Sequence, residues 1–553
     1  MDDPVLERDQ DLRHHRNIDS VVRRAADEFG DRECLRFEGI SLSFREFEAK
    51  TREIATRLPH LGIGIGDHVG IMMPNGHEWP IIWVAILRAG AVAVPMNAKL
   101  GVADLSFLVS DSRVRIIITN ENESISLLET AISRSPTPKP NVFSFNQLID
   151  QPIDSRLSHI NTGLPSPPPD TVANLQYTSG TTGFPKACVL THKYWIEHSR
   201  AIGDLWKLSS NDVVLTAQPF SYVDPPWNLA MCLQFGAPLV VLSRFSASGF
   251  WKSVRDNRAT VVYILGAMPM LLYKQAPSYE DRANCLRLVS CSGILPERHR
   301  DFEDRWGVPW RELYGLTEEG CCLAVPLSAE HKTGSGSIGI PFGNKLVKLV
   351  DDTGVEVAPG ERGEIVVQGD SIMRSYWNRP EESTKALPNG WFHTGDIAWR
   401  DPDGWFYLVG RVKDMIRRGG ENIAAAEVEA VLNDHPWVEI SAVIPEPDDI
   451  MGEEPKACIK LGKDGLRRSP DEVVQSVAEF AASQLAKFKN PRYIQIVDSL
   501  PRTPSERIAK KQLRELLLDG QREDFDVKEK FWRTPGSATS VSTANLLREG
   551  LSQ

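Results

Sequence analysis

The stretch Tyr177-Thr178-Ser179-Gly180-Thr181-Thr182-Gly183-Phe184-Pro185-Lys186-Ala187 decides how the rest of the chain is read. Apolar residues before it, Thr171 to Gln176, and after it, Cys188-Val189-Leu190, read as two short buried strands. A loop of hydroxyls and glycines between strands can turn several backbone N–H groups toward one point, a nest that binds phosphate. Gly180 and Gly183 permit close approach of a ligand, and Lys186 adds a positive charge for phosphate oxygens. The stretch is not a Walker A loop, because Pro185 precedes Lys186 and Ala187 follows it. A plain Ser/Thr/Gly turn that binds nothing is the competing reading, so the motifs downstream decide between them.

Around that loop the pattern is strand–helix–strand. Gly66 to Asn75 reads as a turn and buried strand, Trp79 to Ala89 as a helix and Ala91 to Pro95 as a strand, with a further unit over Asp104 to Thr119. This alternation predicts an α/β architecture with mainly parallel sheets. Gly62, Gly64 and Gly66 precede a strand rather than follow one, which argues against a dinucleotide fold. Upstream, Val21, Val22, Ala25, Ala26 and Phe29 share one helical face, Phe47, Ile54, Ala55 and Leu58 another, and Glu33 to Phe44 alternates like a hairpin.

The α/β pattern resumes from Asp212, with helices expected near Trp227 to Phe235 and over Ser246 to Asn257. Residues 344–412 switch to short strands and predict a smaller β-rich lobe. A compact α+β section follows, whose last strand is expected at Arg492 to Val497. The expected division is an N-terminal domain over 1–411, a C-terminal domain over 412–525 and a disordered tail over 526–553.

Bulk properties narrow the function. A chain of 553 residues holds two or more domains. With 25% charged and 41% hydrophobic residues it reads as an ordinary soluble globular protein. A net charge of −11 argues against a general nucleic-acid or anionic-membrane surface. The 8 cysteines show no paired metal spacing, which suggests reduced thiols. Met1 to Arg16 has no apolar run of a signal peptide, the Trp79 to Pro95 stretch is too short to span a bilayer, and the C-terminus is not Ser-Lys-Leu. A cytoplasmic location without a membrane span is expected.

Three further clusters carry chemistry. In Tyr314-Gly315-Leu316-Thr317-Glu318 an aromatic beside glycine can stack on a purine, and a Thr-Glu pair can hold Mg²⁺ through oxygen. In His393-Thr394-Gly395-Asp396 a carboxylate at a glycine turn can accept ribose hydroxyls. Gly410-Arg411-Val412-Lys413-Asp414 is followed by the turn Gly419-Gly420. Each alone also reads as an ordinary turn or surface loop.

In this order, from about residue 17 to about 520, these motifs together with Thr178 to Lys186 resemble the adenylate-forming (AMP-binding) superfamily, acyl-CoA synthetase/CoA ligase branch. The resemblance implies a large N-terminal domain and a small mobile C-terminal lid. It implies an ATP-dependent carboxylic acid–CoA ligase that forms an acyl-adenylate and then a thioester, with ATP, Mg²⁺ and CoA. The alternative acceptor is a separate carrier protein. Thr178, Ser179, Gly180, Thr181, Thr182, Gly183 and Lys186 would hold phosphates, with Thr181 and Glu318 at the metal. Tyr314 and Gly293 would meet the adenine, Thr317 the α-phosphate, and Asp396 and Arg411 the ribose. Lys413 would be the hinge, and Gly419-Gly420 would line the pantetheine tunnel.

One position departs from the family. Where relatives carry a late catalytic lysine, this chain has Glu506-Arg507. Arg507 can replace it, because the role is electrostatic and Arg stays charged, although its planar fork is longer. Weakened adenylation is the other reading, and Lys510 or Lys511 reaching in is a third. For the acid itself, Tyr222, Asp224, Met268, Ile294 and Gly315 are candidate pocket residues. The region around Asp224 resembles carnitine/crotonobetaine-CoA ligases, so Asp224 could meet a cationic or hydroxylated acid. A helix-capping Asp is the alternative.

Overall fold

The computed structural model describes residues 17–120, 122–135, 138–150, 164–178, 185–266, 268–411, 414–418, 421–448, 451–502, 508–518 and 524–533. Ser179, Gly180, Thr181, Thr182, Gly183, Lys413, Gly419, Gly420 and Arg507 lie outside these residues. The chain divides into two compact units, Met1–Thr394 with Ala398–Leu408, and Gly395–Ile397 with Val409–Gln553.

The first unit starts with two amphipathic helices, Ile18–Phe29 and Phe44–Arg57, which bury the predicted faces. Both begin with reciprocal caps: Asn17 with Ser20, and Ser43 with Glu46. The intervening hairpin pairs Glu33–Phe37 with Ile40–Ser43, as its alternation predicts. Arg88, at the end of the apolar helix Glu78–Arg88, is wholly buried. Its guanidinium pairs with Asp19 at 2.7 Å and Glu48 at 2.8 Å, which ties three helices together.

A six-stranded sheet runs in the order Asn141–Ser144, Ile116–Thr119, His68–Ile71, Val92–Pro95, Val172–Thr178, Lys186–Thr191. Every neighbouring pair is parallel except the last. Strands such as Ile116–Thr119 and Val92–Pro95 are buried along their whole length, as parallel strands covered on both faces must be.

A thirteen-stranded path contains the parallel run Leu239–Val241, Val214–Thr216, Val261–Leu265, Leu288–Ser292, Trp310–Leu316. Gly320–Ala324 then folds back antiparallel on Trp310–Leu316. The short strands expected over 344–412 form and continue this path as Lys345–Val350, Arg362–Gly369, Phe392–Arg400 and Phe406–Arg411. Two helix starts differ from the sequence reading. The helix expected near Trp227 begins at Asp224, because Pro225 and Pro226 suit a first turn whose N–H groups have no partners. The helix expected from Ser246 begins at Phe250, because Ser246 closes a turn onto the N–H of Gly249.

In the second unit, helices Ala425–Asn433 and Pro470–Gln484 share a core with strands Val438–Asp448, Gly452–Leu461 and Tyr493–Ile496. The expectation that the last strand ends near 497, with a tail from 526, is corrected. Asp524–Asp526 pairs antiparallel with Tyr493–Ile496, and Phe531–Arg533 pairs with Asp524–Asp526. The buried ammonium of Lys456 meets Asp524 at 2.8 Å, and Trp532 Nε1 donates to Asp471 at 2.6 Å. Strands of three residues are too short to leave a periodic signal. No helix among the described residues is long and apolar enough to cross a membrane.

Candidate active site

Thr178 and Lys186 stand opposite each other at the open end of the antiparallel pair Val172–Thr178/Lys186–Thr191. This end is anchored from outside the hairpin. The Tyr177 hydroxyl donates to Asp111 Oδ2 at 2.7 Å, and Arg379 donates to the other Asp111 oxygen at 3.1 Å. Burial, then the Asp111 charge, holds the Tyr177 phenol far above its ordinary range, so it stays a donor.

The segment Met373 to Trp377 runs beside the strand Lys186–Thr191. Val189 N–H donates to the Ser375 carbonyl, Arg374 N–H to the Val189 carbonyl and Trp377 N–H to the Ala187 carbonyl, all at 2.8–2.9 Å. At its start Met373 N–H donates to the Glu318 carbonyl at 2.7 Å. One stretch of backbone therefore couples the strand Lys186–Thr191 to the Tyr314–Glu318 motif. Side chains complete the link. Tyr376 donates to Glu318 Oε1 at 3.0 Å, the Lys186 ammonium sits 5.1 Å above the Tyr376 ring centre, and Lys186 pairs with Glu382. Tyr376, Glu382 and Asp111 escaped the sequence reading. Their signal was the aromatic pair Tyr376-Trp377 followed by Arg379 in an otherwise polar segment.

Thr317 and Glu318 occupy the turn between Trp310–Leu316 and Gly320–Ala324. Tyr194 donates to the Thr317 carbonyl at 3.0 Å, and Leu316 N–H donates to Glu319 Oε1 at 3.1 Å. Gly315 lets the two strands of this hairpin approach: a Cβ there would lie 2.4 Å from the Gly320 carbonyl oxygen. Tyr314 is buried.

Gly293 follows the strand Leu288–Ser292 with φ +93°, a conformation that favours glycine. Its N–H and that of Ile294 both donate to the Glu312 carboxylate, at 2.6 and 2.9 Å. Burial pushes the Glu312 carboxyl up to about 7 against those two bonds. Glu312 was not anticipated from the sequence, because a single carboxylate in an apolar strand has no spacing to mark it.

Near the expected acid pocket, the Tyr222 hydroxyl accepts from Asn97 at 3.2 Å. Asp224 is the first residue of its helix rather than the cap, which is Val223. Burial, then the negative charge of Asp224, raises the phenol of Tyr263 above its ordinary range. The Tyr263 and Ser292 hydroxyls are 2.9 Å apart. Met268 and Ile294 are half-buried against one hydrophobic cluster.

In the second unit, Arg411 meets the buried Asp396 at 2.9 Å. Lys510 pairs with Glu429 at 2.7 Å and Lys511 with Glu515 at 3.8 Å, so both alternative lysines have partners inside this unit.

The family described as AMP-binding enzyme matches residues 22–377, and AMP-binding enzyme C-terminal domain matches residues 427–507. The chain belongs to the AMP-binding enzyme family. It is 32% identical to the crotonobetaine/carnitine–CoA ligase of Salmonella arizonae, over 88% of this chain and 96% of that one. It is 32% identical to a feruloyl-CoA synthase of an Amycolatopsis species, over 87% and 95%. Among solved structures it is similar to the o-succinylbenzoate CoA synthetase of Bacillus subtilis in complex with its acyl-adenylate intermediate. That match has a TM-score of 0.79 at 26% identity over 90% of this chain and 98% of the other. This AMP-binding enzyme is an AMP-forming acid–CoA ligase that works through an acyl-adenylate.

Proposed function

We propose how the residues of this chain divide that reaction. In the first half, a carboxylate oxygen attacks the α-phosphorus of ATP, the bond to pyrophosphate breaks, and acyl-AMP forms. No protein nucleophile is needed, so the enzyme contributes position and charge. The loop from Thr178 through Ser179, Gly180, Thr181, Thr182 and Gly183 cradles the leaving phosphates, and Lys186 exchanges Glu382 for a phosphate oxygen. Thr317 serves the α-phosphate, and Tyr314 and Gly293 the adenine. Asp396, with Arg411 against it, takes the ribose hydroxyls. In the second half the thiol of CoA attacks the acyl carbonyl and AMP leaves, with the Gly419-Gly420 turn beside the thiol arm and Lys413 as hinge.

Among the described residues no three His, Cys, Asp or Glu side chains cluster as a metal cage. The single carboxylate of Glu318 suits Mg²⁺, a hard cation that binds through one or two carboxylates plus substrate phosphates. Glu318, with Thr181, would hold it, and it would supply neutralisation of phosphate charge.

The observation that carries this reading is the chain Lys186–Tyr376–Glu318 at the mouth of the phosphate loop. Asp224, Tyr263 and Ser292 support an acid that presents hydrogen-bond donors or positive charge at its far end, with Tyr222, Met268, Ile294 and Gly315 shaping the rest. Acid-dependent ATP–pyrophosphate exchange over a panel of carboxylic acids, with CoA present, tests it. The expected result is exchange with a cationic or hydroxylated acid and a CoA thioester as product. Exchange that survives Lys186→Ala undiminished, or a thioester formed only on a carrier protein, would overturn it. Arg507 takes the late lysine's role: Arg507→Ala should abolish pyrophosphate release and Arg507→Lys retain it.

A further inference from the structure

Lys345 opens the strand Lys345–Val350, and its side chain is 5% exposed. Its ammonium donates to three oxygens: the Glu319 carbonyl, the Cys321 carbonyl at 2.8 Å and Glu319 Oε2 at 3.2 Å. An ammonium has three donors and no acceptor, so its bonding capacity is filled. The Glu319 side chain is wholly buried. Its second oxygen accepts Leu316 N–H at 3.1 Å, and its own N–H donates to the Leu316 carbonyl at 3.3 Å. Glu319 thus closes the turn Leu316 to Glu319, whose two central residues are Thr317 and Glu318. Lys345 then fastens that closure to a neighbouring strand.

A buried ion pair is a costly way to hold a hairpin. Desolvation takes several kcal/mol per ion, and apolar residues of similar volume often stabilise more. What the pair adds is direction. It binds the carbonyl of Glu319, the neighbour of Glu318, and that of Cys321.

We propose that Lys345 and Glu319 are positioning residues for Mg·ATP: they fix the turn so that Glu318 faces the phosphates in one orientation. The proposal rests on the reading that Glu318 meets the metal–nucleotide complex. Groups that orient a ligating carboxylate typically change metal affinity by about 10- to 100-fold when removed.

Calorimetric titration of the full chain with Mg·ATP, and separately with AMP, tests this without turnover. Lys345→Met should weaken Mg·ATP by about 10- to 100-fold and leave AMP within about twofold. Glu319→Gln keeps the shape and should act in the same direction; it carries the test if Lys345→Met does not fold. Mg·ATP affinity unchanged in the folded variant, or an equal loss for Mg·ATP and AMP, overturns the proposal. Glu318→Gln separates the two layers. If it weakens Mg·ATP while Lys345→Met and Glu319→Gln do not, positioning alone fails. If it leaves Mg·ATP affinity unchanged, the metal role of Glu318 fails, and the positioning proposal with it.

Discussion

Gly315→Ala tests how tightly the turn Leu316 to Glu319 depends on backbone contact. A Cβ at Gly315 would lie 2.4 Å from the Gly320 oxygen, 2.5 Å from Cys321 Cα and 2.9 Å from Cys321 N. All three are backbone atoms, so no side-chain rotation relieves them. Ordinary contact needs about 3.5 Å, so the strands must part by roughly 1 Å at the turn end of the hairpin. Overpacking of this kind costs about 1–3 kcal/mol. Thr317 and Glu318 move with the turn, and a 1 Å misplacement can cost about 100-fold in rate, roughly 2.7 kcal/mol. The assay is kcat for acid-dependent ATP–pyrophosphate exchange, with calorimetric unfolding alongside. Gly354→Ala is the control: its φ of +83° is strained for alanine, but nothing lies within 4 Å. It should lose about 1–2 kcal/mol of stability and no rate. Wild-type kcat in Gly315→Ala, or a loss no larger than in the control, would refute the steric argument.

Arg88→Met should cost about 3 kcal/mol in urea unfolding, the low end for a broken buried pair, because Arg23 and Arg52 still reach Asp19 and Glu48. An unchanged unfolding midpoint would show that the pair is dispensable. Glu303 links stability to pH on the acid side. Burial opposes its ionisation, but bonds from His299, the Trp310 N–H and Arg311 prevail and hold it at about 2. A lowered carboxylate contributes stability above its ordinary pKa of about 4.5 and loses it as pH falls to about 2. Glu303→Gln should therefore flatten the fall in unfolding free energy over that window; an identical slope would contradict this. Removing residues 519–553 deletes Asp524 and leaves Glu446, 3.7 Å away, as the remaining carboxylate paired with the buried Lys456 ammonium among the described residues. The second unit should then become the first to yield to limited proteolysis, and unaltered cleavage would count against the pairing.

The contiguous motifs were legible because their chemistry is local. Hydroxyls, glycines and Lys186 fall within one loop, and the contiguous motifs that follow it in order point to the family that the chain belongs to. Helices with clear apolar faces, such as Ile18–Phe29, were legible for the same reason. The start at Asp224 and the hairpin after residue 523 were not. In the first case a proline pair suited to a first turn overrode the apolar pattern, and in the second the strands are three residues long and their ion pairs, Lys456–Asp524 and Arg492–Asp526, join residues far apart in the chain.

The sequence by itself determined the α/β class, the order of the motifs and the kind of ligand they serve, because periodicity and spacing act over a few residues at a time. Only the tertiary structure decided which side chains stand behind those motifs. Asp111 meets Tyr177 and Arg379 across 66 and 268 residues, and Lys345 meets Glu319 across 26. A charge in the sequence does not name its partner. That choice is made when burial leaves an ion no water to turn to and the fold brings one group of opposite sign within reach.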